Sequence, residues 1–152
     1  MSDWGATERV SAEVQLADGQ SLRGEVYVQM RVAHRAGPET LLELLNRPEP
    51  FFALTADDGV TFVSKAQVAI VSSEATSPLD DPARLGAAKR IGLAVTVAGG
   101  EEYTGWAAIE LPPTRARTLD FLNGPDRFFQ IGTDDATRYV HRAHVRLVRP
   151  LD

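Results

Sequence analysis

Residues 14–26 read VQLADGQSLRGEV, and residues 95–107 read VTVAGGEEYTGWA. The two stretches align without a gap, each with an alternating apolar segment, a glycine-containing turn and a second alternating segment. Such a pattern is typical of a β-hairpin with one buried face. Gly24 and Gly105 occupy the same place in the second segment. Glycine inside a strand usually allows a sharp bend or a close backbone approach, so each stretch predicts a bent hairpin.

The correspondence continues along the rest of the chain. Residues 45–52, LNRPEPFF, align with residues 122–129, LNGPDRFF. The later matches are Asp57-Asp58 with Asp134-Asp135, Phe62-Val63 with Tyr139-Val140, and residues 68–71 with residues 145–148. Matches that keep one order predict an internal duplication. The predicted organisation is a first repeat at 8–72, a linker at 73–90 and a second repeat at 91–152.

Each repeat also predicts one short helix, placed between the hairpin and the Phe-Phe strand. Leu41, Leu42 and Leu45 fall on one helical face, and an asparagine followed by a proline two positions later is a stop signal. The helices are expected near 40–46 and 116–122. Three short strands are expected after each helix, near 51–55, 59–63 and 67–71, and near 128–132, 137–141 and 144–148. Residues 64–66 leave room only for a tight turn.

The strand alternation and the helix spacing predict two cores. In the first repeat the predicted core residues are Val14, Leu16, Leu22, Val26, Leu42, Leu45, Phe52, Leu54, Val68 and Ile70. In the second repeat they are Val95, Val97, Tyr103, Ile109, Leu119, Leu122, Phe129, Ile131, Val145 and Leu147. Units of about 60 residues bury little surface alone, so the repeats are expected to pack together or to associate with further copies, with a single joint core as the alternative.

Composition narrows the protein class. The chain of 152 residues is 43% hydrophobic and 24% charged, which is typical of a soluble globular protein. It contains no cysteine, which excludes disulfides, thiolate zinc sites and a cysteine nucleophile. No stretch approaches the ~20 apolar residues of a membrane span, and residues 1–10 carry no apolar run of a secretory signal. The prediction is a cytoplasmic protein.

Five short strands in the order hairpin, strand, strand, tight turn, strand are typical of a small SH3-like or Sm-like barrel. Residues 14–26 resemble the first Sm motif, and residues 62–70 are similar to the second. The stretch 117–123, with Phe128-Phe129, also resembles an uncharacterised bacterial family of Sm-like domains that carry Arg-x-x-Asp-x-Leu-Asn; the first repeat departs from it at Thr40 and Glu43. The resemblance implies a mainly β fold of two tandem small barrels, each with one inserted helix.

That resemblance does not extend to RNA recognition. The loop that reads bases in Sm proteins is replaced here by the helical insertion. The last turn reads Ser64-Lys65-Ala66 or His141-Arg142-Ala143, instead of the family's Arg-Gly or Lys-Gly pair. RNA binding is therefore not carried over to this chain.

No residue pattern indicates catalysis, a metal or a cofactor. His141 and His144 have a metal-like spacing, but on a continuous strand residues three apart face opposite sides, so a solvent-facing turn is the preferred interpretation. The adjacent aspartates at 57–58 and 134–135 diverge at strand ends and are interpreted as turn residues. Phosphate-binding glycine loops and nucleophile elbows are missing. The chain is predicted to be non-enzymatic, with no catalytic, metal or cofactor residues.

Trp106 is the most informative difference between the repeats. It aligns with Glu25 on the predicted outer face, so we expect either the first repeat or a partner chain to cover it. The leading hypothesis is a protein-interaction or assembly module whose exposed sheet edges and loops bind another protein or build a homo-oligomer. The alternative is nucleic-acid or nucleotide binding through the second repeat, where residues 113–152 carry seven arginines and five aspartates. The candidate interaction residues are Trp106, Arg138, His141, Arg142 and His144.

Overall fold

The computed structural model describes residues 7–29, 40–74, 89–109 and 115–151. The strands are β1 (Thr7–Leu16), β2 (Ser21–Gln29), β3 (Phe51–Ala56), β4 (Gly59–Ser64), β5 (Val68–Ser73), β6 (Lys89–Val97), β7 (Glu102–Ile109), β8 (Phe128–Gly132), β9 (Thr137–His141) and β10 (Val145–Leu151). The helices are α1 (Leu41–Asn46) and α2 (Arg115–Leu122). The predicted hairpins, helices and strands are present, and the fold is mainly β. Most of the predicted linker, 75–88, lies outside the described residues.

All ten strands form one antiparallel sheet in the order β10-β6-β7-β8-β9-β5-β1-β2-β3-β4. We call residues 7–74 the first half and residues 89–151 the second half. Each half supplies five neighbouring strands, and the order of the strands within the half is fifth, first, second, third, fourth in both cases. The sheet has two ends, β10 and β4, so it is not closed into a barrel. The structure therefore shows one continuous sheet where two closed barrels were expected.

Short helical segments follow from local sequence signals. Thr40 caps α1: its hydroxyl accepts a hydrogen bond from the Glu43 N–H, and the Glu43 carboxylate accepts one from the Thr40 N–H. The tight turn predicted after β4 is a single 3-10 turn at Lys65–Gln67, and an equivalent turn at Arg142–His144 precedes β10. No helix among the described residues is long and apolar enough to cross a membrane.

Gly24 and Gly105 lie where neighbouring strands approach most closely. A Cβ built on Gly24 would lie 2.6 Å from the carbonyl oxygen of Thr55, and one on Gly105 would lie 2.8 Å from that of Gly132. At these points β2 meets β3, and β7 meets β8, through a single paired position. The predicted need for close backbone approach is thus confirmed at both glycines.

The buried apolar residues form two clusters, and each cluster contains side chains from both halves of the chain. The first cluster, mainly from the first half, also contains Phe128 and Tyr139 of the second half. The second cluster, mainly from the second half, also contains Ala69 and Ile70 of the first half. Strands β5 and β9 pair at this point, and the two faces of the pair serve different clusters. Neither core is therefore complete within its own half.

Most of the predicted core residues are buried or packed against a cluster, but three predictions were wrong. Ile70 is buried in the second cluster instead of the first, because its face of β5 turns toward the second half. Leu119 and Leu147 are exposed. Leu119 lies on the solvent side of α2, and Leu147 lies on the end strand β10, which has no described neighbour on its outer side. The side chain of Ile109 lies outside the described residues.

Candidate assembly edges

The junction between the halves is a short antiparallel ladder of β5 and β9. The paired residues are Ile70 with Val140, Val71 with Tyr139, Ser72 with Arg138 and Ser73 with Thr137. The apolar members of these pairs are almost completely buried. Burial of the Tyr139 phenol raises its pKa to about 12. The junction therefore combines strand pairing with apolar contact on both faces of the sheet.

Side chains beyond the Ile70–Val140 end of the ladder add contacts between the halves. The Asn46 side chain, at the end of α1, accepts a hydrogen bond from the Phe128 N–H at 2.8 Å and donates one to the Phe128 carbonyl at 3.2 Å. Because a side-chain amide offers one acceptor and two donors, it can satisfy an unpaired peptide unit in the way a neighbouring strand would. Asn46 thereby ties the end of the first-half helix to a second-half strand.

Two of the predicted interaction residues also hold this junction. A ring nitrogen of His141, Nδ1, lies 2.9 Å from the carbonyl oxygen of Val68, and the ring stacks on Phe128 at a centroid distance of 4.6 Å. Nε2 of His144 lies 2.6 Å from the carbonyl oxygen of Ala66. Burial lowers the pKa of His141 below its usual value; the hydrogen bond to Val68 raises it, and electrostatic interactions with His144 and Arg127 lower it further. Both histidines thus act within the chain.

The side chain of Arg142, a third predicted interaction residue, caps the C-terminal end of helix α2. Its Nε donates to the Leu122 carbonyl at 3.0 Å and its Nη2 to the Phe121 carbonyl at 2.8 Å, while Nη1 donates to the Asp126 carbonyl. Lys65, at the aligned position, is 1% exposed and donates to the carbonyls of Leu44 at 3.0 Å and Arg47 at 3.1 Å. Orphan carbonyls at helix ends need such donors. The arginine is therefore occupied by a structural contact.

Trp106 and Arg138, the last two predicted residues, lie away from each other. The Arg90 guanidinium covers the half-buried indole at 4.8 Å from its centroid, and a Cβ built on Gly132 would lie 3.3 Å from the indole nitrogen. These contacts come from the second half, not from the first. The indole nitrogen is buried and has no hydrogen-bond partner among the described residues. Arg138 lies over the ring of Tyr103 at 5.2 Å, in a groove of about 520 Å³ between the halves.

The two ends of the sheet expose apolar side chains. Among the described residues, no strand pairs with the outer side of β4 or of β10. Large apolar residues are exposed at these ends: Val60 and Phe62 on β4, Leu147 and Leu151 on β10, and Phe51 on the adjacent strand β3. Edge strands offer unpaired N–H and C=O groups that can pair with another chain. Exposed apolar residues on such strands mark an interaction surface more specifically than single surface residues do.

Sequence reasoning expected exposed strand edges, but it missed the junction and did not say which strands keep a free edge. It located the strands, but the periodicity of one strand does not say which other strand lies beside it. The available signal was the repetition of asparagine at Asn46 and Asn123, which was interpreted only as a helix stop.

Among the described residues there is no group of three or more His, Asp or Glu side chains that could hold a metal. No family model, curated protein or solved structure matches the chain.

Proposed function

We propose that this chain is a non-enzymatic protein-assembly module, built from two duplicated Sm-like or SH3-like units that bind protein partners through the free edges of their shared sheet. The observation that carries the proposal is the exposure of apolar side chains on β4 and β10, the strands whose outer sides pair with no other strand in the described part of the chain. Strand addition at an edge supplies main-chain hydrogen bonds, and alternate side chains supply apolar contact. We place this activity in the cytoplasm.

The duplication is supported by the common strand order of the halves as well as by the aligned sequences. When such a duplicated unit forms one internal junction from a fourth and a fifth strand, the other fourth strand and the other fifth strand remain at the two ends of the sheet. Those spare strands are β4 and β10. An interaction module with two different edges can connect two partners.

The predicted alternative, nucleic-acid binding through the second half, receives no specific support. His141, Arg142 and His144 are engaged by main-chain carbonyls, and Arg138 stacks on Tyr103. Side chains that are held in this way are poorly placed to follow a phosphate backbone, which is contacted mainly by basic groups free to approach it.

The test is affinity capture with the tagged chain from an extract of cells that produce it. We expect the wild-type chain to retain specific proteins, untagged copies of itself included, and the double variant Phe62→Glu Leu147→Glu to lose them, because charges on both edges oppose the pairing of another strand. Ser21→Glu is the matched control, since it places the same charge on an exposed position of β2, an internal strand of the sheet. Equal retention by the double variant and the wild type would contradict the proposal.

A further inference from the structure

We infer that the partner at these edges is a second copy of this chain, docked head to tail so that β10 of one chain pairs with β4 of the next. The inference rests on the proposed function and names its partner. It follows from the junction that the chain already contains, since β5 and β9 are the fifth and fourth strands of their halves. The intramolecular junction does not use β10, the fifth strand of the second half, or β4, the fourth strand of the first half.

The residue pairs of the second junction follow from the sequence alignment. Where the chain pairs Ile70 with Val140, the second junction would pair Leu147 with Val63. Of the other three pairs, Val71 with Tyr139 and Ser72 with Arg138 become Val148 with Phe62 and Arg149 with Thr61, and Ser73 with Thr137 becomes Pro150 with Val60. The first three pairs keep their chemistry, which is aliphatic with valine, valine with aromatic and arginine with hydroxyl; the fourth does not. Such complementarity at successive positions specifies both the partner and the register.

Exposure agrees with this assignment. Tyr139 is 4% exposed and Ile70 is 2% exposed in the internal junction, whereas their aligned residues Phe62 and Leu147 are 72% and 67% exposed. Phe128 is buried in the first cluster, while its aligned residue Phe51 is exposed. The apolar side chains that fill the neighbouring core at the internal junction thus have counterparts that face solvent at the ends. A second chain would bury them in the same way.

The asparagine at the end of each helix provides an independent indication. Asn46 holds the main chain of Phe128 across the internal junction. Asn123 occupies the same place after α2, is exposed, and its side chain has no hydrogen bond among the described residues. In the proposed contact its amide would hold the main chain of Phe51 in the next chain. The contact would give the Asn123 side chain a partner that it does not have among the described residues of its own chain.

Two differences make the second junction weaker than the first. Pro150 stands in place of Ser73 and lacks an N–H, so it cannot donate to the ladder. Arg146 stands in place of the buried Ala69. We therefore expect association that is reversible and depends on concentration. Because the contact joins two different edges, it is heterologous and continues from chain to chain, either closing into a ring or extending as a filament.

The experiment measures the mass of the purified chain by light scattering over a wide range of concentration. We expect the wild type to exceed the mass of one chain as the concentration rises, and Phe62→Glu or Leu147→Glu alone to stay monomeric. An equimolar mixture of these two variants should form dimers and nothing larger, because the first keeps an intact β10 and the second an intact β4. Asn123→Ala should weaken the association of the wild type severalfold. Ser21→Glu, which places a charge on an exposed position of the internal strand β2, should associate like the wild type.

Unfolding curves of the single variants establish that both are folded before they are mixed. A wild type that stays monomeric at the highest concentration overturns the inference, and so does a mixture that fails to form dimers while the wild type associates. If the chain is monomeric but still captures other proteins in an edge-dependent way, the second copy is the wrong partner and the proposed function stands. If edge-dependent capture is also lost, both fail.

Discussion

At the scale of single residues, the chain places cations where main-chain carbonyls need donors. Lys65 and Arg142 occupy aligned positions, and their side chains cap the C-terminal ends of α1 and α2 in the same manner. A lysine in a turn is ordinarily exposed, so the sequence position of Lys65 gives no indication of a helix cap. The buried environment becomes apparent only when the helix end, far away in sequence, is known to pack on the turn.

The prediction at the scale of single residues is that His141 makes the stability of the fold depend on pH. Its pKa is lowered chiefly by burial, so the folded protein binds fewer protons at this ring than the unfolded chain does. The stability contributed by the neutral ring is complete above the unfolded pKa of about 6.5 and is lost as the pH falls toward the folded pKa. We therefore expect the free energy of unfolding to decrease as the pH falls below about 6.5. Chemical denaturation at a series of pH values measures it.

The variants separate this histidine from the other groups that titrate. His141→Gln should flatten the dependence on pH in that range, although it lowers the stability at neutral pH by removing the contact with Val68. His144→Gln keeps His141 and should therefore keep the slope. An equal slope in the wild type and in His141→Gln would assign the pH dependence to another residue.

At the scale of elements, the sequence predicted nearly everything that depends on local pattern. The hairpins, the helices and the 3-10 turns follow from alternation, capping and turn residues, and they lie close to the predicted positions. What the pattern could not supply was the neighbour of each strand. Ile70 and Leu147 were both assigned to a core because they alternate correctly, yet one faces the other half and one faces solvent.

The prediction at the scale of elements is that the strand contacts at Gly24 and Gly105 do not tolerate a larger side chain. Gly24→Ala and Gly105→Ala should each destabilise the fold by roughly 1–3 kcal/mol, because the added methyl group meets a backbone carbonyl that cannot move without disturbing the sheet. The midpoint of chemical denaturation measures the change. Ser11→Thr, which adds a carbon at an exposed position of β1, is the control and should change the stability by less than about 0.5 kcal/mol. Alanine variants as stable as the control would show that the strands can separate without cost.

At the scale of the whole molecule, the β5–β9 pair decides how the halves depend on each other. Phe128 and Tyr139 fill the first core, while Ala69 and Ile70 fill the second. Removing either half would therefore open a gap in the core of the other. The sequence predicted two units that pack together or share a joint core. The structure has two cores, each completed by residues from the other half, an arrangement that depends on contacts between distant strands.

Shared cores predict that the chain unfolds in one cooperative step. Leu45 is completely buried in the first cluster, and Leu45→Ala should cost about 2–5 kcal/mol through the cavity that it leaves. Trp106 belongs to the second half, so its fluorescence in a Trp4→Phe background reports on the half that does not contain the mutation. Because the halves complete each other's cores, that fluorescence should shift to the same lower denaturant midpoint as the circular dichroism of the whole chain.

The measurement is best made on the edge-blocked Phe62→Glu Leu147→Glu background, in which association does not contribute to stability. The matched variant is Ile131→Ala, in the second cluster, which should move both signals together in the same way. If Leu45→Ala instead lowers only the circular dichroism midpoint and leaves the Trp106 transition where it was, the halves are independent. The internal junction would then be too weak to complete either core, and a weaker copy of it between chains would have no basis as an assembly contact.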